Sequence, residues 1–154
     1  MNTELIPLEY ANHLIYELEK AFWDERGKGA KFRLTKVGKE FFDTNCLPKI
    51  KSNEINDIIQ TIEQVLVEKK IIGKINFSNE DRLFRLTIEG CIHESVEKQL
   101  AAKAVEPLAC FPANLIILAI EKKLDRPVEL AEIKINNGAC QLLLVLFEKR
   151  PSVG

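Results

Sequence analysis

The amino-acid sequence predicts a single α+β domain, in which an antiparallel four-stranded sheet formed by two hairpins packs against about five helices. Apolar residues recur at helical spacing in five segments and alternate with polar residues in strands. The chain order is three helices, a hairpin, two helices and a second hairpin, which is typical of α+β domains. The chain has no internal repeat, linker or low-complexity tract, so residues 1–154 are interpreted as one domain.

Three helices are predicted in the first half of the chain. From Leu8 to Phe22, apolar residues fall every three or four positions. A shorter helix is expected to start after Thr35 and to stop at Pro48, since proline cannot continue a helix. A third helix is expected to begin after Ser52. Its apolar positions are Ile55, Ile58, Ile59, Ile62, Val65 and Leu66.

A hairpin and a fourth helix are predicted next. Strands Ile72–Phe77 and Leu83–Ile88 flank a turn at Ser78–Asp81, and apolar and polar residues alternate in the second strand. After Gly90, a fourth helix is expected to end before Pro107. Its apolar stripe consists of Ile92, Val96, Leu100 and Ala104.

The most buried helix and the second hairpin are predicted in the last part of the chain. Ala113–Lys123 is apolar on nearly every side, so this fifth helix is expected to be buried. Val128–Ile135 and Ala139–Phe147 form the hairpin, because Asn137-Gly138 favours the positive φ angles of a tight turn. The final strand is too apolar for a sheet edge, so we expect it at the centre.

Composition argues against several classes of function. The formal net charge is −1 and the isoelectric point is about 6.2, so no overall charge attracts nucleic acid or anionic lipid. The N-terminus lacks the basic and apolar regions of a signal peptide, and no apolar run approaches the ~20 residues that a membrane span needs. We therefore expect a cytoplasmic protein with reduced cysteines, and neither a membrane nor a nucleic acid as partner.

Three dispersed cysteines form a candidate metal site. Cys91 and Cys110 each precede a predicted helix, and Cys140 lies in the last strand. Zinc takes four ligands in a tetrahedral arrangement, so these thiols would need Glu132, or His93 as the alternative fourth ligand. The competing interpretation is that the cysteines are small buried apolar residues.

No catalytic residues are predicted, because the sequence lacks a Ser-His-Asp signature, a glycine-rich phosphate loop and an HExxH motif. The third helix and the first hairpin are also compatible with a winged-helix DNA-binding domain. Its phosphate contacts would come from Lys69, Lys70, Lys74 and Arg82. The isoleucine-rich helix argues against this interpretation, since base reading needs polar side chains.

Residues along the second half of the chain occur in the order of a known family. They are Gly90-Cys91 before one helix, Glu106–Cys110 before the next, and Glu132, Gly138 and Cys140 in the closing hairpin. From Leu83 to Glu148, this order resembles the 4-vinyl-reductase domain family, a hydrocarbon-binding family. Ile135 stands where that hairpin commonly carries a further cysteine.

The resemblance implies an α+β fold shared with transport-particle subunits and with aromatic-sensor domains of bacterial regulators. It also implies a pocket between helices and sheet for a small apolar molecule, a homodimer and, in some members, zinc held by cysteines and a carboxylate. We expect the pocket wall to come from the fifth helix and the last strand. The residues are Phe111, Leu115, Ile116, Ala119, Leu142 and Leu144.

The expected function is therefore the binding or sensing of a small apolar molecule. Two alternatives remain at the level of the sequence. One is a thiol- or metal-dependent accessory enzyme of tetrapyrrole chemistry that uses Cys91 or Cys110. The other is an assembly module, which an exposed apolar helix face would favour.

Overall fold

A computed structural model describes residues 6–26, 37–103, 110–136 and 138–148. These residues form an α+β domain with a four-stranded antiparallel sheet, as the sequence predicts. Four sequence features lie outside the described residues: the helix start after Thr35, the helix end at Ala104, residues 106–109 and Asn137 of the second turn.

The elements follow the predicted order. They are α1 (Leu8–Arg26), α2 (Lys39–Phe41), α3 (Ile55–Glu68), β1 (Lys74–Glu80), β2 (Leu83–Glu89), α4 (Glu94–Ala102), α5 (Phe111–Leu124), β3 (Val128–Asn136) and β4 (Ala139–Leu146). After α2 the chain continues through a π-helical turn and then a 3-10 turn that contains Pro48. The first helix continues to Arg26, beyond the apolar pattern that ends at Phe22.

The strand order in the sheet is β1-β2-β4-β3, so β4 is a central strand as predicted. The first turn differs from the prediction. Glu80 pairs with Leu83, which leaves a two-residue turn in which Asp81 has φ 56. Ser78 pairs with Arg85 and belongs to β1, because an exposed edge strand accepts the polar residues that the sequence suggested as a turn.

One face of the sheet forms the main core with α3 and α5. In β4, Cys140, Leu142 and Leu144 point to that face. Eight residues of α5 are buried, more than in any other described helix, so the fifth helix is the most buried of them. Pro112 occupies its first turn, and Asp125 ends it with a left-handed φ of 53.

The first helix lies outside this main core and packs on α4 instead. Val96 and Leu100 of α4 are buried against Ile15, Tyr16 and Trp23 of α1. This second, smaller apolar cluster leaves space between α1, α4 and the start of α5.

The first hairpin is an integral part of the sheet. β2 pairs with β1 on one side and with β4 on the other over its whole length, Leu83–Glu89. The hairpin that the winged-helix interpretation takes as a wing is therefore one edge of a four-stranded sheet. Among the described helices, none has the length and apolar character to cross a bilayer.

Candidate functional site

A cavity with a volume of about 340 Å³ lies between α1, α4 and the start of α5. The first helix contributes Ile15, Leu18 and Phe22 to its wall, and α5 contributes Phe111 and Pro112. Most of the described wall is apolar. The cavity therefore lies among helices rather than between the helices and the sheet, where the family resemblance implied a pocket.

Gly90 places the residues at the start of α4 against this cavity. Its φ is 70, and a Cβ atom at this position would lie 3.2 Å from the backbone nitrogen of Gly73. A side chain would be strained there, so glycine is required for the chain to leave β2 at this angle. The backbone N–H of Ile92 then donates to the carbonyl of Ile71 at 3.0 Å, which fixes Cys91 and His93 beside the cavity.

His93 is held by a hydrogen-bond network on its cavity side. Asn12 donates through Nδ2 to the carbonyl of Ile92 at 2.7 Å and to Ser95 Oγ at 3.0 Å, so its Oδ1 faces the histidine ring. His93 Nδ1 lies 2.9 Å from this oxygen and must carry the proton. Burial lowers the pKa of His93, so the ring is neutral and its Nε2 is an acceptor.

Glu97 is the most deeply buried charged group at the cavity, with only 4% of its surface exposed. Burial raises its pKa from an ordinary value of 4.5 to about 7. The hydrogen bond that Cys140 Sγ donates to Glu97 Oε2 at 2.6 Å lowers the pKa, whereas the neighbouring carboxylates Glu19 and Glu94 raise it. Glu19 also lines the cavity and is itself 8% exposed.

The three cysteines of the predicted metal site lie near one another. Burial is the main cause of a raised pKa at Cys110 and Cys140, and the charge of Glu97 raises both further. Cys91 and Cys110 line the cavity together with Glu97, and Cys140 donates its hydrogen bond to Glu97. Burial raises the pKa of Cys91 itself to about 11.

The described residues give no support for a zinc ion at these cysteines. Within the part of the chain that the structure describes, no group of three or more His, Cys, Asp or Glu side chains could hold a metal. The ring nitrogen Nδ1 of His93 is bonded to Asn12, so Nε2 is the nitrogen that remains for a ligand.

Glu132, the expected fourth ligand, lies on the wrong face of the sheet. It pairs with Leu143, whereas Cys140 pairs with Ile135. Because neighbouring residues of a strand alternate between faces, Glu132 points away from the side that holds Cys140. It lies on the open face, with its carboxylate 3.3 Å from Lys134 Nζ.

The structure places the residues of the predicted pocket wall in two regions. Phe111 lines the cavity. The other five residues are at most 3% exposed and belong to the main core: Leu115, Ile116, Ala119, Leu142 and Leu144. Core and pocket use the same residue types at the same spacing, so periodicity alone could not separate the start of α5 from the part packed under the sheet.

No protein-family model matches the chain, and no curated protein is significantly similar to it. Function is therefore inferred from the cavity and its polar residues.

Sequence reasoning overlooked Glu97, although a signal was present. His93, Val96, Glu97 and Leu100 fall at the three- and four-residue spacing of one helix face. A carboxylate on an otherwise apolar face has to be buried, and a buried carboxylate needs a specific partner. In α1, Glu19 occupies the equivalent kind of position between Ile15 and Trp23, beside the same cavity.

Proposed function

We propose that this protein binds a small apolar molecule in the cavity between α1, α4 and the start of α5. The observation that carries the proposal is the cavity itself, which has a volume of about 340 Å³ and an apolar wall with a few buried polar groups. Small-molecule sites have this character, since apolar walls supply affinity and a few polar groups fix orientation.

Membership of the 4-vinyl-reductase family remains part of this proposal. The residues Gly90-Cys91 and Cys140, which support the resemblance, all lie close to the cavity or to Glu97. The α+β element order is compatible with it. The resemblance implied a pocket between the helices and the sheet, whereas the cavity lies among the helices α1, α4 and α5. The proposed ligand site is therefore taken from the structure and not from the family.

The raised pKa values of the cysteines favour a ligand-binding function over a thiol-dependent enzyme activity. A nucleophilic cysteine needs a pKa lowered by nearby positive charge or by a helix N-terminus. Burial instead raises the pKa of Cys91 to about 11 and that of Cys110 well above its ordinary value. Both thiols are therefore suited to an apolar wall rather than to nucleophilic attack.

Filling the cavity tests this proposal. We expect Ile15→Trp to weaken the binding of a fluorescent apolar probe such as Nile red at least tenfold, because Ile15 lines the cavity. His13→Trp is the matched control, since the His13 side chain is 60% exposed on the same helix and lies neither in the cavity wall nor in the apolar stripe described below. Equal probe binding by both variants would contradict the proposal. Native mass spectrometry of the purified protein would also report a retained ligand, bound zinc and the number of subunits.

We further propose that the protein forms a homodimer through an apolar stripe on α1. The stripe consists of Tyr10, Leu14, Leu18 and Phe22, whose exposed fractions are 61%, 46%, 55% and 39%. Residues four positions apart form a continuous ridge on a helix, and two such ridges pack with a crossing angle near −50°. A second copy would cover this surface about a two-fold axis, with the same patch on both subunits.

The stripe and the cavity share residues, so a second copy packed on the stripe would also lie at the edge of the cavity. Leu18 and Phe22 belong to the exposed stripe and also line the cavity. A second α1 packed there would shield both the stripe and this side of the cavity from water.

A further inference from the structure

We propose that the cavity selects apolar molecules that carry a positively charged nitrogen, and that Glu97 binds this cationic head. This inference rests on the proposed binding function and specifies its ligand class. The cavity contains buried carboxyl groups, and Glu97 has no cationic partner among the described residues.

Among the described residues that line the cavity, no lysine or arginine is present. The ionisable groups other than thiols are Glu19, His93 and Glu97. His93 is neutral, so the charge that these residues can carry is negative. A fatty acid or another apolar anion would bring a like charge against Glu97 and would be rejected.

Glu97 lacks a positively charged partner among the described residues. Its carboxyl is 4% exposed and accepts a hydrogen bond from a neutral thiol, that of Cys140 at 2.6 Å. The nearby charged groups that affect it are the carboxylates Glu19 and Glu94. A carboxylate buried in this way is strongly destabilised until a cation pairs with it.

An ammonium group matches the acceptors on this side of the cavity. An alkylammonium has three N–H donors, and a carboxylate can accept bonds at both oxygens in addition to the one from Cys140. His93 and Glu97 are four residues apart, so they lie on the same side of the chain at the start of α4. The acceptor Nε2 of His93 can therefore take a second N–H of the same head, while the apolar chain contacts Ile15, Leu18 and Phe22.

The energetic argument favours a cation over a neutral polar head. The protein already bears the desolvation of the Glu97 carboxyl, so only the ligand's desolvation opposes pairing. A charge-assisted hydrogen bond is also roughly twice as strong as one between neutral groups. A neutral alcohol would use the same apolar wall but would leave the buried charge uncompensated.

Three eight-carbon probes that differ in their head group test the inference. Isothermal titration calorimetry at about pH 8 would compare octylammonium, octanol and octanoate. We expect octylammonium to bind at least tenfold more tightly than octanol, and octanoate more weakly than octanol. In Glu97→Gln, octylammonium should lose at least tenfold in affinity while octanol changes by less than about threefold, which also shows that the variant is folded.

The matched control is Glu129→Gln, which removes an exposed carboxylate from β3 and should leave all three affinities unchanged. Equal affinities for the three probes would overturn the cation preference and leave apolar binding in place. An unchanged octylammonium affinity in Glu97→Gln would overturn the role of this residue. Failure of all three probes to bind would overturn both the inference and the proposed function.

Discussion

At the scale of single residues, Glu97 is the least expected feature of the structure. Helical spacing places it on the apolar face of α4, and the fold keeps it there with a thiol as hydrogen-bond donor. Its burial opposes ionisation, which links the protonation of one side chain to the stability of the whole domain.

This linkage gives a pH dependence of defined sign. Because the folded-state pKa of Glu97 is about 7 and its ordinary value is 4.5, ionisation favours the unfolded chain. The contribution of Glu97 to the free energy of unfolding is largest below pH 4.5. It decreases as the pH rises toward 7 and is constant above that pH. In Glu97→Gln this loss should be absent, so the variant should gain on the order of 3 kcal/mol relative to the wild type between these limits.

Urea denaturation across this pH range would measure the effect. Glu129→Gln removes an exposed carboxylate and should follow the wild-type profile. Parallel pH profiles for the wild type and Glu97→Gln would show that Glu97 ionises in the folded state as it does in the unfolded chain.

At the scale of elements, the end of α3 shows how the sequence terminates a helix without glycine. The N–H of Lys70 donates to the carbonyl of Val67, and the N–H of Ile71 donates to that of Leu66. This is a Schellman motif, which needs a left-handed residue after the helix cap. Lys70 occupies that position with φ 60, a conformation that a side chain disfavours.

Lys70→Gly should therefore stabilise the domain by about 0.5–1 kcal/mol, since glycine adopts this conformation without the clash. Thermal or urea denaturation would measure the gain. Lys70→Ala is the control, because alanine removes the charge but keeps the Cβ atom. An equal gain in both variants would assign the effect to the charge of Lys70 and not to its backbone conformation.

At the scale of the whole molecule, the sequence predicts the elements well and the site poorly. The isoleucines of α3, the apolar α5 and the two hairpins each follow local patterns, so their identity and the central position of β4 could be predicted. The cavity depends on how α1 packs on α4, which no local pattern specifies. Glu132 illustrates the limit: a bulge between Leu130 and Glu132 shifts the register of β3 against β4 and thereby sets its face.

The proposed dimer is tested at the same scale. Leu14→Glu places a charge in the middle of the α1 stripe, where a second copy would bury it, so the dimer dissociation constant should rise at least about a hundredfold. Sedimentation velocity would measure the change in mass distribution. Gln60→Glu adds the same charge at an exposed position of α3 and should have no effect. A wild-type protein that stays monomeric at high concentration would exclude the dimer.

The two residues common to the stripe and the cavity, Leu18 and Phe22, have a thermodynamic consequence. A molecule that binds the paired subunits more tightly than the single subunit must strengthen pairing by the same factor, since the two equilibria are reciprocal. Ligand concentration would then be read out as a change in subunit association. A domain of this size could in this way report the presence of a small molecule to whatever chain is joined to it, without any large movement inside the fold.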